Sequence, residues 1–429
     1  MKFYIETFGC TANLGNSQDA ADALQEMGHR PSSLEDADAV IVNTCAVTEK
    51  TERKILRRLR QLQGKRLVVA GCLFAALPES IRPISCRERL GLLDRSAARK
   101  IADLFEDPLM TGPSSSFQCP PRVPLAARQD LCGVVNIAEG CNGGCSYCIV
   151  RKARGNLTSR RPEEVVEAVK KLVSSGNVEV QLTAQDTAAY GRDIGTSLPE
   201  LLIAIGEIPG RYMVRIGMMN PNTAMCIMDD LVNALRSPRI YKFIHLPIQS
   251  GSDQVLERMC REYTAEEFID ICRRMRKEFP HMNIATDVIA GFPGEKNEDF
   301  EETLRVIEMI MPDKVNVTRY SRRPRTRAAQ LYDMPDRIKK ERSRRITRLW
   351  LEIADRRNHG YIGSALDVLV TERGKDCSMK ARSFNYGGVV IKGPSSLGTW
   401  QRVRIASSNP FYLTGVSLPR DQDERTSSD

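Results

Sequence analysis

Three cysteines, spaced three and then two residues apart, constrain this 429-residue chain more than any other feature. They lie in Gly140-Cys141-Asn142-Gly143-Gly144-Cys145-Ser146-Tyr147-Cys148, which we call the cysteine clamp. Thiolates at this spacing can point into one concavity and replace water around iron and sulfide. Three ligands on a four-iron cluster leave one iron open for a small molecule. Zinc or free buried thiols are the alternatives, but zinc usually needs a fourth Cys or His, and no His lies between His29 and His245.

The clamp, with its aromatic residue before the last cysteine, resembles the signature of the radical S-adenosylmethionine (SAM) enzymes. The resemblance implies that Cys141, Cys145 and Cys148 hold a 4Fe–4S cluster whose open iron chelates SAM. It also implies that Tyr147 lies against the adenine of SAM. In these enzymes one electron from the cluster splits SAM, and the resulting 5′-deoxyadenosyl radical removes hydrogen from an unactivated carbon.

Three further cysteines follow strand-like segments in residues 1–106. The segments are rich in Val, Ile and aromatic residues and are each followed by a helix-like stretch: Lys2–Glu6, Ala39–Asn43 and Arg66–Ala70. This pattern predicts a parallel sheet covered by helices. Parallel strands present their carboxyl ends on one edge, so the cysteines near these ends can converge. We therefore expect a second three-thiolate cluster at Cys10, Cys45 and Cys72; three unconnected core cysteines are the alternative.

Two cysteine triads in this order resemble the methylthiotransferase family of radical SAM enzymes, over roughly Met1 to Leu418. The family joins an N-terminal domain with three dispersed cysteines, a radical SAM barrel and a small C-terminal β domain called TRAM. The resemblance implies two 4Fe–4S clusters, the second of which carries the sulfur to be transferred. It further implies that SAM serves twice, as methyl donor and as radical source. The sulfur donor and the electron donor are not identified by the sequence.

Composition and periodicity predict an α/β multidomain fold. Residues 1–106 form the N-terminal domain, and a Pro- and Ser-rich linker follows at 107–131. Residues 132–325 alternate strands with amphipathic stretches such as Pro162–Ser175, which predicts a partial (β/α)6 barrel. Its expected strands are Val134–Ala138, Val178–Thr183, Met213–Gly217, Tyr241–Pro247, Asn283–Ala290 and Lys314–Arg319.

The remaining segments are a basic connecting helix at 326–360, a small all-β barrel at 361–418 and a disordered tail at 419–429. The expected strands of the small barrel are Ala365–Thr371, Met379–Phe384, Gly388–Lys392, Thr399–Ile405 and Phe411–Leu418.

Polar segments after later barrel strands extend the resemblance, because (β/α) barrels carry their reactive groups at the carboxyl ends of strands. Gln185 and Asp186 follow the second strand and, by resemblance, help to hold the methionine end of SAM. Segments after the fourth and fifth strands resemble SAM-contacting and barrel-lining segments of the family: Gln249, Ser250 and Gly291. Taken singly, each segment is first a turn or loop signal.

Positive charge is concentrated in residues 319–357, which contain 14 Lys and Arg against 5 Asp and Glu. This excess of nine equals the net charge of the chain and indicates phosphate binding, with a solvated helix face as the alternative. Within it, Arg325-Thr326-Arg327 replaces the Gly-Thr-Pro that the family usually has after the sixth strand. Arg154 and Arg160 match a family run, and either a solvated or a phosphate-facing role fits them. The small barrel offers further candidates for RNA binding, with its core as the alternative for about half of them: Phe384, Tyr386, Trp400, Arg402 and Arg404.

The substrate is indicated by resemblance. The runs Ala153–Leu157 and Leu182–Thr196 resemble the archaeal and eukaryotic branch acting on N6-threonylcarbamoyladenosine beside the tRNA anticodon. We therefore expect the anticodon loop of tRNA as the partner, with carbon 2 of the adenine at position 37 as the acceptor. The threonyl carboxylate predicts a bidentate arginine, either Arg192 or another near the barrel mouth. Isopentenyladenosine in tRNA, a ribosomal protein, or a non-enzymatic RNA-binding iron–sulfur protein are the alternatives.

The sequence contains no run of about 18 apolar residues and no apolar signal-peptide core at its start. Its 13 cysteines are better explained as metal ligands or reduced thiols than as disulfides. We therefore expect a cytoplasmic protein without a membrane partner.

Overall fold

A computed structural model describes residues 1–106, 131–393 and 395–419. The N-terminal part contains the strands β1 (Lys2–Thr7), β2 (Arg30–Pro31), β3 (Ala39–Thr44), β4 (Leu67–Gly71) and β5 (Glu88–Arg89). Its helices are α1 (Thr11–Glu26), α2 (Glu49–Gln61), α3 (Cys72–Ala76), α4 (Pro78–Ile81) and α5 (Arg95–Glu106). The strands form one parallel sheet in the order β2-β1-β3-β4-β5.

Successive apolar side chains of each strand point to opposite faces of this sheet, which explains why helices cover both faces. On one face, Phe3, Ile5 and Ile41 pack with α1 and α5; on the other, Tyr4 and Val40 pack with α2 and α3. The predicted parallel α/β sheet is confirmed. The edge strands β2 and β5 were not predicted, because two-residue strands carry no periodicity and form only by pairing with a neighbour.

The central part contains the strands β6 (Cys132–Asn136), β7 (Ala138–Glu139), β8 (Thr158–Ser159), β9 (Glu179–Thr183), β10 (Met213–Ile216), β11 (Phe243–His245), β12 (Asn283–Ala290) and β13 (Lys314–Arg319). Its helices are α6 (Val150–Arg154), α7 (Pro162–Ser174), α8 (Leu198–Gly206), α9 (Pro221–Met225), α10 (Met228–Leu235), α11 (Asp253–Arg258), α12 (Ala265–Glu278) and α13 (Asn297–Ile310). Six strands run parallel in two sheets, β6-β9-β10 and β11-β12-β13.

Two isolated bridges join these sheets, Val214 to Ile240 and Met218 to His245, and one apolar core lies between the strands and the helices. The predicted partial barrel is confirmed. The bounds of β12 and β13 are those predicted. Strand β11 is shorter than the predicted Tyr241–Pro247, because the flanking residues make only single bridges or bonds to their neighbours.

The C-terminal part begins with helix α14 (Asp336–His359), which packs along β13. The strands β14 (Ala365–Arg373), β15 (Ser378–Ser383), β16 (Gly388–Lys392), β17 (Trp400–Ser408) and β18 (Leu413–Ser417) follow. They close a barrel in the order β14-β15-β16-β18-β17, which confirms the predicted small all-β barrel. An apolar core fills it.

The small barrel lies against the amino ends of the central strands, on the side opposite the clamp. The Tyr386 ring packs 5.0 Å from that of Tyr241, and its hydroxyl donates to Glu179 Oε1 at 3.3 Å. Trp400 packs on the same apolar cluster. Tyr386 and Trp400 therefore follow the core alternative rather than the RNA-binding one, since both contact the central barrel.

The predicted linker at 107–131 and tail at 419–429 lie outside the described residues, apart from Leu131 and Pro419. A search of the described helices found none that is both long enough and apolar enough to cross a membrane.

Candidate active site

The cysteine clamp lies at the carboxyl end of β6, between the short β7 strand and α6. The Gly143 N–H donates to Cys141 Sγ at 3.2 Å, and Arg261 Nη1 donates to Cys145 Sγ at 3.3 Å. Burial raises the pKa of Cys141 and raises that of Cys148 to about 11. These thiols therefore need bound cations to stay ionised near neutral pH, and iron supplies such cations.

Neighbouring segments hold the clamp backbone in place. Ser146 bonds both to the Met259 carbonyl, through its N–H at 2.9 Å, and to the Arg258 carbonyl, through its hydroxyl at 2.8 Å. Arg327 donates to the Gly144 carbonyl. In the described residues, no three His, Cys, Asp or Glu are grouped closely enough for a single metal ion.

A cavity of about 270 Å³ opens beside the clamp at the barrel mouth. Tyr147 and Cys148 line it together with Gln249 and Asp287 of the barrel. The N-terminal domain also reaches it through Val47 and Thr48, two and three residues after Cys45. The volume is slightly below the range typical of small-molecule pockets. The cavity thus joins the clamp to a segment next to the second cysteine triad.

The other residues expected to contact SAM differ in their surroundings. Gln185 Oε1 is buried and has no hydrogen-bond partner among the described residues, which leaves it available to a ligand. The Asp186 carboxylate instead accepts three hydrogen bonds from the start of α9, two from Asn220 and one from Thr223. It therefore orients that loop, and a SAM contact for it remains a prediction.

Ser250 and Gly291 also make internal contacts. The Ser250 hydroxyl lies 3.3 Å from that of Thr303. Gly291 has φ +74°, and a Cβ there would lie 2.4 Å from Lys339 Cγ, so its identity follows from backbone geometry. For both residues, contact with SAM stays a prediction.

The second triad is assembled by the register of the N-terminal sheet. Thr7 pairs with Asn43, and Thr44 pairs with Gly71, so three strands end in line. Cys10, Cys45 and Cys72 follow these ends, and each thiol lies within electrostatic range of the other two. Cys45 and Cys72 are buried, whereas Cys10 is exposed.

Gly9 leaves a cradle beside these thiols. Its φ is +118°, and a Cβ there would lie 3.2 Å from Cys45 Sγ. Burial raises the pKa of Cys72 and raises that of Cys45 to about 11. As at the clamp, bound iron would keep these thiolates ionised, so the residues fit the expected cluster.

Arg154 differs from the sequence-based expectation. It was expected to be solvated or to face phosphate, but it is buried and its guanidinium reaches the second triad through Asn13. Arg160, by contrast, is half-buried and donates to the Asn136 carbonyl at 3.2 Å.

The arginine loop 322–327 is an interdomain contact. Arg323 forms a buried ion pair with Glu52 of α2 at 2.6 Å, and Arg325 donates to the Ala76 carbonyl of α3 at 2.9 Å. Arg325 has φ +68°, a backbone conformation that favours glycine, which is the residue that the family pattern predicts at this position. Because these guanidinium groups already bind protein, the expected use of this loop for RNA phosphates is not supported.

Sequence reasoning missed two groups at the site. Arg261, which donates to Cys145, has no recognisable spacing signal because only the fold brings it to the clamp. Asp287 is the one charged residue of β12 and bonds to His245 at 3.0 Å. A carboxylate at such a position was a detectable signal. Arg192 is exposed and does not line the cavity, whereas Arg319 does.

Comparisons with known proteins agree with this geometry. A model of the "Radical SAM superfamily" matches residues 135–307, and one of "Uncharacterized protein family UPF0004" matches residues 2–88. A "Probable threonylcarbamoyladenosine tRNA methylthiotransferase" of Pyrococcus horikoshii is 38% identical over 421 residues, covering 97% of this chain and 99% of that protein. A "Threonylcarbamoyladenosine tRNA methylthiotransferase" of Homo sapiens is 31% identical over 438 residues, covering 96% of this chain and 73% of that protein.

Among solved structures, radical S-adenosylmethionine methyltransferase TsrM from Kitasatospora setae is similar in fold. The TM-score is 0.55 at 15% identity, over 76% of this chain and 77% of that one.

Proposed function

The chain belongs to the threonylcarbamoyladenosine tRNA methylthiotransferase family of radical SAM enzymes, and we propose that it adds a methylthio group to carbon 2 of N6-threonylcarbamoyladenosine at position 37 of tRNA. Membership implies a 4Fe–4S cluster and SAM. We assign that cluster to Cys141, Cys145 and Cys148, and a second to Cys10, Cys45 and Cys72.

One observation carries the proposal. The cavity at the barrel mouth is lined by the clamp on one side and by Val47 and Thr48, which follow Cys45, on the other. A reaction that takes hydrogen from a base and then delivers sulfur to the same carbon needs both centres to reach one space. A radical enzyme with the clamp alone has no use for the second triad.

Bound at the clamp, the cluster and SAM supply the radical that removes hydrogen from carbon 2. The protein holds and shields these groups. Tyr147 presents its ring to the cavity and is fixed edge-on against Phe292, with ring centroids 6.3 Å apart. Gln249 lines the cavity, and its backbone, with φ +68°, is held by hydrogen bonds to the backbone of Asp287 and Ile289. Gln185 would offer its amide oxygen, which has no partner among the described residues, to a donor group of SAM.

Arg319 is the arginine best placed to recognise the threonyl carboxylate. It ends β13, is exposed and lines the cavity. Within the described residues, its guanidinium makes no hydrogen bond or ion pair. A guanidinium there can pair with a carboxylate bidentately, whereas an isopentenyl group would call for an apolar surface.

The tRNA backbone has a basic path along α14. One face packs on the barrel, where Arg342 pairs with Glu295 at 2.5 Å and Arg357 pairs with Asp313 at 2.8 Å. The opposite face carries exposed basic residues at helical spacing: Arg337, Lys340, Arg344 and Arg348. Near its start α14 contacts the barrel mouth, where Lys339 Nζ donates to the Tyr320 carbonyl, and it also contacts β17 of the small barrel. The exposed charges therefore extend from the mouth of the cavity towards the small barrel. We place the anticodon loop at the mouth and the protein in the cytoplasm.

The test is to offer the reconstituted enzyme three acceptors: tRNA carrying the threonylcarbamoyl group, tRNA carrying the isopentenyl group, and the ribosomal protein. We expect methylthiolation of the first alone, because it places a carboxylate beside the base for Arg319 to bind, whereas the isopentenyl group has no carboxylate and the ribosomal protein has no base. The Arg319→Gln variant should lose most of this activity, whereas Arg192→Gln, at an exposed position away from the cavity, serves as the control.

Modification of the isopentenyl tRNA or the ribosomal protein, with none of the threonylcarbamoyl tRNA, would overturn the substrate while leaving the reaction type standing. Equal activity of the Arg319 and Arg192 variants would remove Arg319 from substrate recognition.

A further inference from the structure

Helix α6 belongs to both cysteine sites. It starts two residues after Cys148 of the clamp, and it packs on α3, which begins with Cys72. Ile149, just before the helix, lies in the same apolar cluster as Cys45 and Cys72. At the other end of the helix the Gly155 carbonyl accepts the Cys141 N–H at 3.1 Å. The helix therefore fixes the clamp relative to the second triad.

The last residue of α6 extends into the N-terminal domain. Arg154 is only 7% exposed and forms an ion pair with Glu139. Its Nη2 donates to Asn13 Oδ1 at 2.6 Å and to Asn16 Oδ1 at 2.9 Å. A buried guanidinium with these partners is held in one orientation, with its charge beside the Cys72 thiol.

Asn13, which Arg154 contacts, also makes hydrogen bonds to all three cysteine segments. Its Nδ2 donates to the Phe8 carbonyl at 2.7 Å and to the Thr44 carbonyl at 2.9 Å. Phe8 lies two residues before Cys10, and Thr44 lies one residue before Cys45. The Cys72 thiol donates to Asn13 Oδ1 at 3.6 Å. One side chain, held by Arg154, therefore touches the backbone or sulfur of each segment that carries a triad cysteine.

We propose that Arg154 is a positioning residue for the second cluster: through Asn13 it holds the segments that carry Cys10 and Cys45, and it supplies a fixed positive charge next to the Cys72 thiolate. This inference rests on the proposed assignment of that cluster to Cys10, Cys45 and Cys72. The charge stabilises the more negative, reduced form of the cluster, so it raises the reduction potential. Partners of this kind typically contribute about 10- to 100-fold to metal affinity.

The test uses a protein in which Cys141, Cys145 and Cys148 are replaced by Ala, so that only the second cluster is formed. In this parent, Arg154→Gln should lower the reduction potential measured by electron paramagnetic resonance titration. It should also make the cluster about tenfold easier to remove with a chelator. Arg154→Lys keeps the charge but not the forked contact with the two asparagines, so it should restore part of the potential.

Two further variants separate positioning from folding. Arg151→Gln removes an exposed arginine from the same helix and should match the parent in potential and chelator resistance. Glu139→Gln combined with Arg154→Gln leaves neither charge of the ion pair without its partner, so the fold is kept. The potential of this double variant should lie below that of the parent but above that of Arg154→Gln alone, because the negative charge of Glu139 is also removed. Thermal unfolding of the iron-free proteins checks the fold.

An Arg154→Gln protein with the parent's potential and chelator resistance would overturn the positioning role and leave the proposed function intact. A clamp-free parent that binds no iron would overturn the second cluster itself, and this inference with it.

Discussion

The anaerobically reconstituted protein is expected to hold about eight irons, four at each triad. Replacing Cys141, Cys145 and Cys148 by Ala should remove about half of the iron and abolish SAM cleavage, because the open iron that chelates SAM is lost. Replacing Cys10, Cys45 and Cys72 should also remove about half of the iron. The second variant should keep SAM cleavage but form no methylthio product. Iron and sulfide analysis and detection of 5′-deoxyadenosine measure these effects.

Three cysteines outside both triads provide the matched control: Cys86, Cys226 and Cys377. Their replacement by Ala should leave iron content and SAM cleavage unchanged. A variant of Cys10, Cys45 and Cys72 that retained all the iron of the parent would show that the second triad holds no cluster.

Gly140→Ala is expected to have a comparably large effect with a single methyl group. Gly140 precedes the clamp with φ +77°, and a Cβ there would lie 1.9 Å from the Asn156 carbonyl oxygen. Neither backbone can yield without moving Cys141, whose N–H bonds to the adjacent Gly155 carbonyl. We expect loss of the clamp cluster, which is about half of the iron, together with loss of SAM cleavage.

Gly155→Ala is the control for this prediction. Gly155 has a similar φ of +73°, but no atom of the described residues lies within 4 Å of a Cβ added there. With ψ −159° its backbone conformation is nearly exclusive to glycine, so its replacement should cost backbone strain of about 1–3 kcal/mol but should keep the iron. If Gly140→Ala behaved like Gly155→Ala, the close packing of the clamp against Asn156 would not matter for the cluster.

The sequence predicted strand bounds correctly where the residue pattern within the strand is enough to define it. β12 and β13 have the predicted bounds, because β-branched residues make up half of each strand and favour extended backbone. The convergence of Cys10, Cys45 and Cys72 also followed from a general rule, since parallel strands end on one edge.

Tertiary packing decided what the sequence left open. Aromatic residues such as Tyr386 and Trp400 suit an apolar core as well as a base-stacking surface. Their packing against the central barrel decides for the core, and the sequence does not show this packing. The charge of Arg323 gave no sign of its partner, because Glu52 lies in another domain. The sequence likewise did not show that Arg154 is buried, because Arg151, an arginine of the same short helix, is exposed.

The most direct measurement of the central claim is mass spectrometry of modified nucleosides in tRNA from cells with and without this gene. The account predicts that 2-methylthio-N6-threonylcarbamoyladenosine disappears on deletion and returns with the intact gene. It also predicts that neither triad variant restores the nucleoside, because the reaction needs both centres at one cavity. An unchanged level of the nucleoside after deletion, or full restoration by either triad variant, would contradict it.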